Sequence, residues 1–377
     1  MAFSFTPRQA RRTVLLGICG AALALASCQR GPGGPPVIEP ELPVITGPRV
    51  VAIIVPTTGG DGPVGTSIVN AANLALADTG EKNLKINVYN SAGPGGAAGA
   101  AQRAIADGSG LILGPLLAED VRAAAPVARQ AGVPVISFSN DEGVAGNGVY
   151  IMGFTPDQSI GRVVSYARSK GATRFAALVP TGLYGQRSTQ AFTKAVGRAG
   201  GRVTAIETYT RSRGAVSLAA RRLNNRGSFD AVLIGDSGRM AAMAAPLIKV
   251  GPRRLGTELW ATDKTLGRTP ALRGAWYAAA PDFRFNQMVT RYRARYGKTP
   301  YRLGSLGYDA VLLAVRSSKS WRTGRPFPVG TLVDSDGFGG VDGNFRFGRD
   351  GVAERLLEVR QVNANGVTTI APAATKF

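Results

Sequence analysis

Residues 50–55 read Val-Val-Ala-Ile-Ile-Val, and the reading of that run decides the fold. It is short, β-branched and apolar throughout, with no polar alternation. A strand of this kind needs apolar cover on both faces, which a parallel sheet between helices provides. A Gly-rich loop follows at 59–65, and 68–77 then repeats apolar residues at helical spacing. The same alternation continues outward. Strands are predicted at 86–89, 111–113 and 133–138, and helices at 97–106 and 121–130. The theme then restarts. Helices are predicted at 160–169, 189–198, 218–223 and 240–247, and strands at 175–179, 203–207 and 231–234, with a short strand at 258–261. Further on, 285–296 and 306–317 read as helices, 329–347 is Gly-rich, and 355–362 alternates like a strand. The expected class is α/β: two lobes, each a parallel sheet covered by helices. Ligands of such sheets bind outside the carboxyl ends of the strands.

Upstream of this body, Arg8, Arg11 and Arg12 precede an apolar run at 14–25, and Leu25-Ala26-Ser27-Cys28 ends it. Basic, apolar and small residues followed by Cys resemble the lipobox of bacterial lipoproteins. The apolar run falls short of the roughly 20 residues of a membrane span. The resemblance implies a signal peptide at 1–27 and a lipid on Cys28. Gln29 after Cys28 implies anchoring at the periplasmic side of the outer membrane. Residues 28–48 hold the lipidated Cys and a Pro/Gly-rich tether, which extends to roughly 60 Å at ~3.1 Å per residue.

Composition narrows the chemistry. The 377 residues contain no His, and the two Cys, Cys19 and Cys28, both precede the folded body. Imidazole triads, Cys nucleophiles and thiolate metal sites are thereby excluded. The expectation is no catalytic residue, no metal and no cofactor. The formal charge is +21. The basic residues are scattered, and no zinc finger or RNA-recognition signature accompanies them, so nucleic acid is not an expected partner. An anionic membrane surface, a wall polymer or an acidic protein suits the charge better.

Several motifs have plain readings. Gly60-x-Gly62-x-x-Gly65 matches a dinucleotide fingerprint, but Pro63 lies inside it and the strand ending at Tyr89-Asn90 supplies no acid for a ribose. It reads as a strand-to-helix loop at a cleft edge. Gly297-Lys298-Thr299 lacks the earlier Gly of a phosphate loop. Asp334, Asp336 and Asp342 lack EF-hand spacing and read as a solvated turn. The candidate cleft residues follow predicted strands: Thr57, Leu116, Ser137, Ser139 and Asn140 in the first lobe, Tyr184, Asp236 and Asp263 in the second.

The order of elements over residues 50–365 resembles the type I periplasmic binding proteins, particularly the branched-chain amino-acid receptors. The carriers are 50–58 with the Gly loop, Leu113-Gly114-Pro115-Leu116, Val133 to Ser137, Tyr184-Gly185, Gly307-Tyr308-Asp309-Ala310 and the closing segment 338–351. The resemblance implies two discontinuous lobes joined by three crossovers: 49–154 with 282–328, then 155–281 with 329–371, and a tail at 372–377. An acid at Glu119 or Asp141 would repel a ligand carboxylate and argues against amino-acid capture. Residues 136–141 and 153–158 are similar to the lipoprotein activators of penicillin-binding proteins. That similarity implies a non-catalytic partner of a bifunctional peptidoglycan synthase, with peptidoglycan or a small cleft ligand as further contacts. The alternative is the lipid-tethered solute-binding subunit of an ABC importer for amino acids or related molecules.

Overall fold

The computed structural model describes residues 47–377. The expected signal peptide, Cys28 and nearly all of the tether lie outside the described residues. The apolar run 50–55 lies in β1 (Arg49–Val55), followed by α1 (Gly62–Thr79), β2 (Leu84–Asn90), α2 (Gly96–Ala106), β3 (Ser109–Leu113), α3 (Ala118–Gln130), β4 (Val135–Ser137) and β5 (Val149–Ile151). These five strands form one sheet in the order β2-β1-β3-β4-β5, parallel throughout. Val51 to Val55 are fully buried because helices cover both faces. Val51, Ile53 and Val55 join one core cluster with Ile68 of α1, whereas Ala52 and Ile54 join another with Ala100 of α2.

The chain then crosses to the second lobe: α4 (Pro156–Ser169), β6 (Arg174–Pro180), α5 (Leu183–Arg198), β7 (Arg202–Tyr209), α6 (Arg213–Asn225), β8 (Ala231–Ile234), α7 (Gly238–Ala244), β9 (Arg253–Gly256) and β10 (Trp276–Ala279). It returns through α8 (Phe283–Tyr296) and α9 (Gly304–Ser318), both packed on α1. A small antiparallel sheet follows, made of β11 (Phe338–Gly340), β12 (Gly343–Phe347) and β13 (Ala353–Arg355). The last crossing leads to β14 (Glu358–Asn363) and β15 (Gly366–Ala371). They extend the second sheet, ordered β15-β14-β10-β9-β8-β6-β7. This is a two-lobed α/β fold with parallel sheets flanked by helices and three crossings.

Three details differ from expectation. Residues 258–261 are not a strand. The strand is β9, and Glu258–Trp260 is a 3-10 turn. The chain folds back because the Trp260 indole inserts under Gly256, where a Cβ would stand 2.2 Å from the ring. Its Nε1 donates to the Asp236 carbonyl at 3.0 Å. Residues 329–355, expected with the second lobe, pack on the first. Phe338, Val341, Phe345, Phe347 and Ala353 share a core with Leu306, Val311 and Phe138. Asp309 of α9 pins this sheet by accepting from the Val341 and Asp342 N–H groups. Finally, β14 pairs antiparallel with β10, and β15 pairs antiparallel with β14.

The crossings are tied by two buried arginines. Arg355 Nη2 donates to the Met152 carbonyl at 2.6 Å, between the first and third crossings. Arg360 Nη2 donates to the Ala280 carbonyl at 2.9 Å and pairs with Asp282 and Glu358.

Candidate functional site

The carboxyl ends of both sheets meet around a cavity of about 370 Å³. Its first-lobe wall includes Val64, Leu116, Leu117, Phe138 and Leu303, and its second-lobe wall includes Leu259, Ala261, Ala279 and Ala280, with Phe154 at the first crossing. The polar members are Asp61, Asn140, Glu258, Thr262 and Arg302. A volume in this range, mainly apolar with a few polar groups, suits a small organic ligand.

Of the eight candidate cleft residues, Leu116 and Asn140 line this cavity. Thr57 lines a separate groove with Gly59, Gly62 and Tyr301. Ser137 and Ser139 are buried and turned inward. The Ser137 hydroxyl donates to the Pro115 carbonyl at 2.9 Å and accepts from the Ser139 N–H, while Ser139 Oγ accepts from the Asp141 N–H at 3.1 Å. They are turn-builders, the use that short hydroxyl side chains commonly find beside a free backbone N–H. Asp236 is buried under Tyr209 and Arg211 and accepts from both. Asp263 accepts from the Thr265 N–H and hydroxyl and packs against Gly238. Tyr184 stands one layer behind the cavity wall. Its hydroxyl donates to Glu258 Oε1 at 3.0 Å and lies 3.1 Å from Thr257 Oγ1.

Two acids behave differently from their sequence reading. Asp141 does not present an open negative charge to the cleft. Arg122 and Arg187 each bind its carboxylate at 2.7 Å, and the Gly143 N–H adds a third donor. Burial pushes this carboxyl up, but those donors outweigh it and hold it below the usual range. Arg187 comes from the second lobe, so the contact latches the lobes together. Asp342 is fully buried rather than part of a solvated turn, and its Oδ1 pairs with Arg302 at 2.5 Å.

Glu258, Arg302 and Phe154 escaped sequence reasoning. Glu258 sits in a turn that its apolar neighbours made look like a strand. Its Oε2 accepts from the Ser159 hydroxyl and its Oε1 from Tyr184. Burial pushes its carboxyl up to about 6, against the lowering effect of those hydrogen bonds. Arg302 stacks on Phe285 at 4.0 Å and donates to Ser305 Oγ at 2.9 Å. Among the described residues no group of three His, Cys, Asp or Glu is placed to hold a metal ion.

The sequence profile of the family described as "Periplasmic binding protein" matches residues 49–367. The chain belongs to the periplasmic binding protein family. Membership implies a periplasmic place of work and a ligand-binding scaffold. Similar solved structures include a Rhodospirillum rubrum protein at TM-score 0.75 and 20% identity, covering 86% of this chain and 100% of that one. A leucine binding protein from Thermotoga maritima gives TM-score 0.65 and 21% identity, covering 86% and 98%. A solute binding protein of an ABC transporter from Rhodopseudomonas palustris, in complex with 3,4-dihydroxybenzoic acid, gives 0.66 and 20%, covering 86% and 96%. These likenesses share the fold. An uncharacterized protein of Rickettsia prowazekii (strain Madrid E) is 23% identical over 175 residues, which are 46% of this chain and 47% of that protein. The match spans about half the length of that relative.

Proposed function

We propose that this protein is a solute-binding receptor for an ABC importer, working in the periplasm and held to the membrane by a lipid on Cys28. The observation that carries the reading is the mainly apolar cavity between two lobes joined by three crossings. The names of similar structures favour this reading over the activator reading. Capture of a solute draws the lobes together, so a ligand stabilises the closed form by its differential affinity. A thermal-shift screen with amino acids, amides and wall fragments tests it. A ligand at a hundredfold excess over its dissociation constant stabilises the fold by ~2.7 kcal/mol. A flat screen across these classes counts against it. Labelling with a radioactive fatty acid, abolished by Cys28→Ala, tests the anchor.

A second reading, binding and activation of a bifunctional peptidoglycan synthase, draws on one observation. The first-lobe hydroxyls among the candidate cleft residues, Ser137 and Ser139, are engaged internally. It predicts co-purification with a synthase and faster glycan polymerisation. A synthase that neither binds nor accelerates removes it.

A further inference from the structure

We propose that the interlobe cavity takes a small apolar amine, a protonated cation without a carboxylate; the inference rests on the solute-binding reading. Three charged residues line the cavity: Asp61, Glu258 and Arg302. Arg302 is already engaged by its own wall, with Nη2 on Asp342 at 2.5 Å, Nη1 on Ser305 Oγ at 2.9 Å and its plane on Phe285. The other two are carboxylates, one from each lobe. Asp61 stands at the start of α1 without capping it, and among the described residues it forms no ion pair. Glu258 receives two hydroxyl donors and, among the described residues, no counter-ion.

A carboxylate held among leucines and alanines by neutral donors, without a cation, carries a desolvation cost that a cation relieves. Burial accordingly pushes the Glu258 carboxyl up. A ligand ammonium would supply the missing charge beside Glu258, with Asp61 adding the same sign from the first lobe. A ligand carboxylate would meet the same groups as repulsion. The remaining polar lining, Asn140 and Thr262, offers neutral hydrogen bonds only. Behind the first-lobe wall the sign is the same: the Asp120 carboxyl is pushed up by burial and then by Glu119 and Asp61 nearby. The chain's formal +21 charge does not reverse this, because exposed charges beyond ~8 Å are largely screened at physiological ionic strength. The leucine, alanine and phenylalanine side chains of the wall fit an aliphatic or arylalkyl body.

The test is calorimetric titration of the purified protein with two sets of three probes: phenethylamine, 3-phenylpropanoate and phenylalanine, then isoamylamine, isovalerate and leucine. The expected result is saturable binding of an amine, at least tenfold tighter than its carboxylate and amino-acid counterparts. Glu258→Gln should weaken the amine at least tenfold, and Asp61→Asn, at an exposed site, should weaken it severalfold without altering the melting temperature. Tighter binding of a carboxylate or amino acid overturns the amine assignment and leaves the receptor reading standing. Unchanged amine affinity in both variants also overturns it. Silence from all six probes overturns it, and if the broader thermal-shift screen is flat as well, the receptor reading falls with it.

Discussion

The two lobes start in the same way and end differently. Each has a proline at or just past the end of a strand, a short loop, and a helix whose first turn carries a glycine against that proline's carbonyl. A Cβ on Gly65 would stand 1.7 Å from the Pro56 oxygen, and one on Gly185 1.6 Å from the Pro180 oxygen. The acids diverge. The first lobe buries Asp309 and Asp342 with Arg302 and Arg355, a network of mixed sign at the crossings. The second lobe leaves Glu258 at the cavity with hydroxyl partners. Repetition of the architecture thus fixes the frame, while the charge partners separate the paired network at the crossings from the unpaired carboxylate at the cavity.

The largest effect should come from the crossing network. Arg355 is buried between the Phe154 and Phe345 rings, at 4.7 Å and 5.0 Å, and its charge offsets Asp309 and Asp342. Arg355→Ala leaves those carboxylates with Arg302 alone and frees the Met152 carbonyl. Removing one partner of a buried ionic group costs about 3–5 kcal/mol, read by urea denaturation. Glu258→Gln should cost far less, because it deletes a charge that has no counter-ion. Equal losses would erase the contrast between the lobes.

The glycine pair comes next. Gly65→Ala and Gly185→Ala each force the helix off its strand end, and overpacking of this kind costs about 1–3 kcal/mol. The two losses should match. A neutral Gly65→Ala beside a costly Gly185→Ala would show that the similarity of the lobes is only geometric.

Much of this was legible in the sequence, for reasons of period. Continuous apolar strands such as 50–55 and 231–234 can only be interior, so the two-lobed α/β class followed from them. The glycine fingerprint, read as a strand-to-helix loop, forms that loop, with Gly65 packed against the Pro56 carbonyl. The candidate site was less legible. Leu116 and Asn140 were found because they follow strands. Ser137, Ser139, Asp236 and Asp263 were named on the same ground, yet each answers a local backbone or side-chain demand that sequence spacing does not display. Glu258 was hidden because Leu259, Trp260 and Ala261 read as strand, and only the Trp260–Gly256 contact bends them into a turn. Arg302 gave no signal, because its partner Asp342 is 40 positions away in sequence. The placement of 329–355 depended on Asp309 reaching across to the backbone of that sheet, a tertiary bond.

The pH dependence of stability sharpens the comparison further. Asp309 is pushed up to about 7 by burial and by Asp342, and Glu258 to about 6 by burial. For both, the folded state holds its proton when the unfolded state has released it. Stability therefore falls as pH rises, from about 4 to 7 for Asp309 and from about 4.5 to 6 for Glu258. Glu258→Gln should flatten the slope only in the lower window, and Asp309→Asn in both its lower and upper parts. Melting temperatures at half-unit pH intervals separate the two.

The smallest effect concerns the contact that joins the lobes at the cleft mouth. Arg187 of α5 meets Asp141 of the first lobe at 2.7 Å, and Arg122 holds the same carboxylate from its own side. Because Arg122 remains, Arg187→Ala does not leave Asp141 unpaired, so the stability cost should stay near or below ~1 kcal/mol, in the range of partly exposed pairs. The latch, however, exists only when the lobes are together. Its loss should act on the closed form selectively: faster ligand release, with association little changed, and a larger radius of gyration without ligand. Arg122→Ala lies within one lobe and should leave the release rate unaltered. If the two variants release ligand at the same rate, Asp141 is a structural anchor of the first lobe and the cleft closes without it.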